Sequence, residues 1–288
     1  MKELKLKIEK ELENKEIKYI LKNKLFLSNR VITKLKTFPD GITLNGEKAF
    51  VTVRVKENDL LLIRMYDEAS KNIEPCDLPL DIIFEDEDIL VVNKPRNMPT
   101  HPSLNHYNDT LANAVMNYYR DKDFTFRVIT RLDRNTSGLV LIAKNKISAQ
   151  KLSGQMADKK IKKEYYAICH GCPEKKDGNI DIPIKRMDYS GILRVADPSG
   201  KEAYTEYSVM KTNENRSLIK LIPHTGRTHQ LRVHLAYIGT PIYGDELYGS
   251  DAKDCKATLL HCRQLKLLHP TNGNEVIFTA ELPEDMIL

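Results

Sequence analysis

The apolar residues Leu12, Ile17, Ile20 and Leu21 fall on one side of a helical wheel, and this spacing predicts a helix over residues 1 to 24, closed by a Lys-Asn-Lys stretch. Ser28 can cap a second helix carrying Val31, Ile32 and Leu35, which the Thr-Phe-Pro-Asp-Gly stretch at 37 to 41 stops. Short strands are expected next, at 42 to 44 before the turn Asn45-Gly46, at 50 to 55, and through Leu62. Two prolines and little periodicity mark residues 66 to 80 as a linker. Beyond it, strands are expected at 82–84, 89–93, 127–130, 139–143, 165–169, 205–210, 217–222 and 276–280, with helices near 110–119, 146–158 and 228–238. Many strands and few helices, without βαβ alternation, predict an α+β domain around a largely antiparallel mixed sheet. The division expected is a small α+β domain with its linker, residues 1–75, and a larger domain, residues 76–288.

With 288 residues, 41% of them hydrophobic, the chain can bury one full core and a second, smaller one. Its longest apolar runs, such as 139 to 143, fall far short of the roughly 20 residues a membrane helix needs. Residues 1 to 24 lack the apolar stretch and cleavage site of a signal peptide, so a cytoplasmic protein without membrane association is expected. The net charge of +5 suits a nucleic-acid partner, but a solvated lysine-rich surface accounts for it equally well. Residues 1 to 75 hold sixteen Lys plus Arg against twelve Asp plus Glu, which is +4 of that total. Five scattered cysteines fit reduced thiols better than a disulfide framework.

Two stretches carry candidate chemistry. In Arg131-Leu132-Asp133-Arg134-Asn135-Thr136-Ser137-Gly138, a polar loop between apolar runs places Asp133 between two arginines. An anchored carboxylate there can act as a nucleophile or stabilise developing positive charge; equally, an aspartate before Asn-Thr-Ser-Gly can be a turn residue that satisfies backbone amides. In the second stretch, Arg227 stands at a strand-to-helix turn, where its guanidinium can reach a carboxylate or phosphate, or make a surface salt bridge. The following helix buries Leu231, Leu235 and Ile238. Cys169-His170-Gly171-Cys172 has half of a zinc spacing, but Cys255 and Cys262 are too far apart to complete it well. His224, His229 and His234 are spaced by five, about 140° apart on a helix, and do not share a face. Neither a phosphate loop nor a dinucleotide fingerprint is present.

Together, Arg-Leu-Asp-x-x-Thr-Ser-Gly-Leu at 131–139 and Thr-Gly-Arg-Thr-His-Gln-Leu-Arg-Val-His-Leu at 225–235 closely resemble the RluA/RluD family of pseudouridine synthases. Other family landmarks follow in order: Asn93-Lys94-Pro95, Thr100-His101-Pro102, Lys163-Glu164-Tyr165, and Gly239-x-Pro241-Ile242-x-Gly244-Asp245 with Tyr248-Gly249. The resemblance covers about residues 80 to 288. Ser28-Asn29-Arg30, Lys34-Leu35, Leu44-Asn45-Gly46 and Asn58-Asp59 before a closing strand resemble, more loosely and over residues 1 to 65, the S4-like RNA-binding module; a small structural α+β cap without RNA contact is the alternative.

The resemblance implies a pseudouridine synthase fold and the isomerisation of uridine in RNA. It implies Asp133 as the catalytic aspartate, Tyr165 as the aromatic residue against the target uracil, and Arg227 as the arginine paired with the aspartate. Leu231 corresponds to the pocket floor and Arg131 to the arginine that helps hold the flipped nucleotide. Lys163 is expected at the pocket edge, and His101 joins Arg131, Leu231 and Lys163 among the substrate-binding residues. Thr130 and Asn97 depart from the family's usual histidine and glycine, which puts local loop geometry in doubt before the reaction. The aspartate either attacks the ribose or deprotonates it to a glycal. No cofactor or metal is expected. The partner is RNA, with large-subunit (23S-type) ribosomal RNA favoured and transfer RNA as the alternative, and the protein is expected to be a monomer. Seven lysines between 144 and 163 against the single acid Asp158 are an expected RNA track. The competing readings are an RNA-binding protein that kept the fold without the activity, and an aspartate-dependent nucleoside hydrolase.

Overall fold

The computed structural model describes residues 2–25, 27, 29–66, 72–187, 191–249, 255 and 257–288. Its first strand, β1 (Lys2–Lys7), is followed by a 3-10 turn at Lys10–Leu12, α1 (Ile17–Asn23), α2 (Asn29–Thr37), β2 (Ile42–Leu44), β3 (Glu47–Lys48) and β4 (Leu60–Met65). These strands form an antiparallel sheet in the order β1-β4-β2-β3.

The single helix expected over residues 1 to 24 is thus replaced by a strand, a turn and a shorter helix. Leu4 and Leu6 alternate with Lys5 and Lys7, and this period of two pairs Leu4 with Ile63 and Leu6 with Leu61. Helical spacing begins only at Ile17, where Ile17, Ile20 and Leu21 are buried. The strand expected at 50 to 55 is a turn-rich segment with another task. The carbonyls of Val53 and Val51 accept from the amides of Ile17 and Lys18 at 2.9 and 2.8 Å, which satisfies donors that the first turn of a helix leaves free. Asn45 and Gly46 take φ of 53° and 91°, the left-handed pair that joins β2 to β3. The expected cap Ser28 and five residues of the linker, 67 to 71, lie outside the described residues.

The larger part contains β5 (Asp81–Glu85), β6 (Ile89–Lys94), α3 (Leu111–Tyr118), β7 (Ser137–Ala143), α4 (Lys146–Ala157), β8 (Lys162–His170), β9 (Asp177–Asp181), β10 (Ile184–Arg186), β11 (Arg194–Ala196), β12 (Tyr204–Thr212), β13 (Arg216–Pro223), α5 (Gln230–Tyr237), β14 (Leu260–Leu268) and β15 (Glu275–Thr279). Nine strands build one sheet in the order β5-β6-β7-β14-β8-β13-β12-β9, with β15 beside β14, while β10 and β11 form a separate hairpin. All its pairs are antiparallel except β7 with β14, so the fold is α+β with a largely antiparallel mixed sheet.

Strand β14, at the centre of this sheet, has no counterpart among the expected strands. His261, Arg263 and Gln264 interrupt its apolar pattern, and a bulge between Cys262 and Gln264 shifts its phase, so Cys262, Leu265 and Leu267 all face inward without simple alternation. Residues 127 to 130 form no strand beyond an isolated bridge of Val128 to Ile142; Ile129 donates to the carbonyl of Leu141 at 2.8 Å. The two sheets meet at α4, where Ile147 packs into the small core and Nζ of Lys146 donates to the carbonyl of Tyr66 at 3.0 Å. Among the described residues no helix is long and apolar enough to cross a membrane.

Candidate active site

The loop before β7 is held from below by its neighbours. Oγ1 of Thr100 donates to the carbonyl of Leu132 at 2.8 Å, and the amide of Thr136 donates to the carbonyl of Asp133 at 3.1 Å. At the end of β6, Lys94 is 0% exposed and donates to three carbonyls, those of Pro95 and Met98 at 2.8 Å and of Arg134 at 3.2 Å. Burial pushes its ammonium down to about 7, and the nearby carboxylate of Asp133 opposes that shift.

Both departures from the family pattern are accommodated locally. Oγ1 of the buried Thr130 accepts from the amide of Leu141 at 2.9 Å, tying the loop to β7. Asn97 takes a φ of 60°, a left-handed conformation that asparagine adopts more readily than most side chains.

Asp133 emerges where two cavities meet. The inner one, about 110 Å³, is walled by Tyr165 from β8, Leu231 and Arg232 from α5, Lys163 and His229. Burial raises the Tyr165 hydroxyl well above its ordinary range, so the ring serves as a neutral face. The outer groove, about 660 Å³, carries His101, His106, Arg131, Arg134, Lys163 and Arg227 along its sides. Asp133, with 35% of its side chain exposed, belongs to both.

The structure brings Asp133, Tyr165, Leu231, Lys163 and Arg131 around the inner cavity and sets His101 only along the outer groove. His101 packs edge-on against Phe126 at 4.9 Å, and burial, with Arg131 nearby, holds its imidazole below the usual range. Burial likewise lowers the ammonium of Lys163.

The pairing expected of Arg227 is made by another residue. Arg227 lines both cavities, but its Nε donates to the carbonyl of Glu202 at 2.8 Å. Oδ2 of Asp133 instead lies 3.8 Å from Nη1 of Arg232 and 3.8 Å from Nε2 of His229. Arg227 stands on the turn before α5, five residues ahead of Arg232. The missed signal was an arginine inside Leu231-Arg232-Val233-His234-Leu235, a run buried throughout, which requires an acidic partner. Asp245 is that partner, receiving Nε and Nη2 of Arg232 at 2.7 and 2.6 Å.

The lysine track is shorter than its sequence implies. Lys144 pairs with Glu85 at 2.6 Å, Lys146 donates to Tyr66 as above, Lys151 donates to the carbonyl of Pro270 at 2.7 Å, and Lys160 meets Asp158 at 3.2 Å. Lys159, Lys162 and Lys163 remain together beside His224 and Arg227, lining a cavity next to the site.

Of the cysteines, Cys169 and Cys262 are buried, and burial pushes the Cys262 thiol up to about 12. Among the described residues no group of three or more His, Cys, Asp or Glu is gathered as a metal site.

A carboxylate beside a small pocket with an aromatic wall, continuous with a cation-lined groove on a mixed sheet, is suited to holding one extruded base of a polyanion. The RNA pseudouridylate synthase family model matches residues 88–237. The chain belongs to this family, in its RluA branch, whose enzymes isomerise uridine in RNA to pseudouridine. It is 36% identical over 265 residues to YjbO, an uncharacterised RNA pseudouridine synthase of Bacillus subtilis, covering 91% of this chain and 94% of that one. It is 36% identical over 268 residues to ribosomal large subunit pseudouridine synthase D of Zymomonas mobilis, covering 86% and 84% of the two chains. Among solved structures, human RNA pseudouridylate synthase domain containing 1 superposes with a TM-score of 0.61 at 27% identity, over 70% of this chain and 83% of that chain.

Proposed function

We propose that this chain forms pseudouridine in ribosomal RNA of the large subunit, with Asp133 as the reacting carboxylate. The observation that carries the reading is the place of Asp133, at the junction of a small pocket and a larger cationic groove. The relatives named ribosomal large subunit pseudouridine synthase D, from Zymomonas mobilis and Escherichia coli, are 36% and 32% identical to it over most of their length, which favours that RNA class.

Reaching the base requires unstacking and flipping a nucleotide, at a cost of about a few kcal/mol. Arg131, Arg134, Arg227 and Lys163, along the groove, offset that cost through the phosphates. Within the pocket the carboxylate of Asp133 acts at the ribose, either bonding to the anomeric carbon or taking the neighbouring proton to give a glycal. The freed uracil turns between Tyr165 and Leu231 and rejoins through carbon 5, which loses its proton while N1 takes one up; in the glycal route the ribose proton is returned as the new bond forms. No net oxidation, reduction or hydrolysis occurs, so the balance requires no co-reactant. The small domain of residues 1–75, with its excess of cations, contacts RNA outside the groove, and the protein acts in the cytoplasm as a monomer.

The decisive experiment maps pseudouridines in ribosomal and transfer RNA from cells with and without the gene. The expected result is loss of at least one large-subunit position; loss confined to transfer RNA would overturn the ribosomal assignment. Complementation with Asp133→Asn should leave the position unmodified while RNA binding persists. A restored modification would remove Asp133 from its role.

A further inference from the structure

The turn from Gly244 to Tyr248 has no task in the isomerisation steps above, yet it holds the most deeply buried acid near the site. Asp245 is 0% exposed, and a buried carboxylate is costly unless paired. It takes two of the three guanidinium nitrogens of Arg232 in a fork, with distances of 2.7 and 2.6 Å. The third nitrogen, Nη1, is the one that lies 3.8 Å from Oδ2 of Asp133. The guanidinium carbon of Arg232 also lies 5.0 Å from the centroid of the Tyr248 ring.

The hydroxyl of Tyr248 accepts from the amide of Arg194 at 3.0 Å and lies 2.8 Å from Nδ1 of His229. A phenol has one proton to give. Donating it to Nδ1 leaves the imidazole proton on Nε2, the atom 3.8 Å from Asp133, where a carboxylate can only accept. Burial holds His229 toward its neutral form, with Asp133 acting against it. His229 also adopts a left-handed backbone, φ 58°, a conformation that persists only where the surroundings enforce it. The turn itself is pressed into place: Gly244 has a φ of +76°, and a Cβ there would lie 2.1 Å from the carbonyl oxygen of Ala257.

We propose that Asp245 and Tyr248 are positioning residues for the isomerisation. Asp245 sets the guanidinium of Arg232, Tyr248 sets the imidazole of His229, and together they keep two N–H groups near Oδ2 of Asp133 without closing on it. The oxygens of Asp133 then stay open to the ribose. Without Asp245 the guanidinium is free to fork onto Asp133 and occupy the lone pairs that the reaction uses. This proposal rests on Asp133 as the reacting carboxylate.

The test follows tritium release by the purified full chain from RNA of cells lacking the gene, grown on [5-³H]uridine, so that the target is present whichever RNA class holds it. Asp245→Asn is expected to lower kcat about 100-fold, as misplacement of a reacting group does, with KM changed only slightly. Tyr248→Phe, which removes one oxygen and keeps the ring, is expected to lower kcat about tenfold with an unchanged melting temperature. An Asp245→Asn enzyme with wild-type kcat beside an inactive Asp133→Asn enzyme overturns the proposal. So does a Tyr248→Phe enzyme with wild-type kcat, which decides the matter if Asp245→Asn fails to fold. An active Asp133→Asn enzyme defeats the underlying assignment, and the proposal with it.

Discussion

The ammonium of Lys94 donates to the carbonyl of Arg134, 3.2 Å away, and so joins the end of β6 to the residue that follows Asp133. Two further carbonyls, of Pro95 and Met98, complete its shell. Lys94→Met keeps the length of the side chain but leaves the buried carbonyl of Met98 without a donor, and those of Pro95 and Arg134 dependent on water. At about 1 kcal/mol for the buried bond and less for the two that water can replace, the folded state should lose about 1–2 kcal/mol, read as a lower urea midpoint at unchanged m. An unchanged midpoint would mean that these bonds contribute nothing.

The two arginines of the second motif should separate in kinetics. Arg232→Ala leaves the buried Asp245 unpaired and removes the nitrogen beside Asp133, so kcat should fall about 100-fold or more. Arg227→Ala removes a groove residue bonded to a main-chain carbonyl, and its effect should fall mainly on KM. The reverse pattern would restore the pairing first expected of Arg227.

His261 provides a pH signature. Burial, then the charge of Arg96, pushes its imidazole down to about 4 from an ordinary value near 6.5. Between those values the unfolded chain binds a proton that the folded chain refuses. Stability is therefore intact above pH 6.5 and falls as the pH drops toward 4, by about 3 kcal/mol from this group. Denaturation at several pH values should show that slope in the wild type and a shallower one in His261→Gln. Equal slopes would assign the acid sensitivity elsewhere.

The lysines that follow the Asp133 loop should divide by role. Lys159→Ala with Lys162→Ala should reduce the slope of log affinity against log salt by about 1.4, near 0.7 for each phosphate left without its cation on single-stranded RNA. Lys151→Ala, whose ammonium is bonded to the carbonyl of Pro270, should leave that slope unchanged. The measurement is RNA binding across a salt series.

Much of this was legible in local pattern. Asp133, Tyr165 and Leu231 sit in short motifs beside β7, β8 and α5, elements that form close to where period places them, and they converge on one cavity. What was not legible depends on partners distant in sequence. Arg232 reads as one more charge on a helix until Asp245 is folded against it. Strand β14 reads as irregular because its bulge changes which residues face inward, and only β7 and β8 on either side reveal it as a strand. β1 failed for a different reason: its charges suited a solvated helix as well as an edge strand, and pairing with β4 decided between them.

The single parallel pairing of the large sheet joins Ser137 to His261, residues 124 positions apart. The strand that carries the reacting loop therefore lacks one of its two neighbours until residues 260–268 are available. Long-range closure of this kind is slow and comes late. A protein still being synthesised would have β6 and β7 paired with the loop between them unsupported on one side, so the ability to engage RNA productively cannot precede the making of β14.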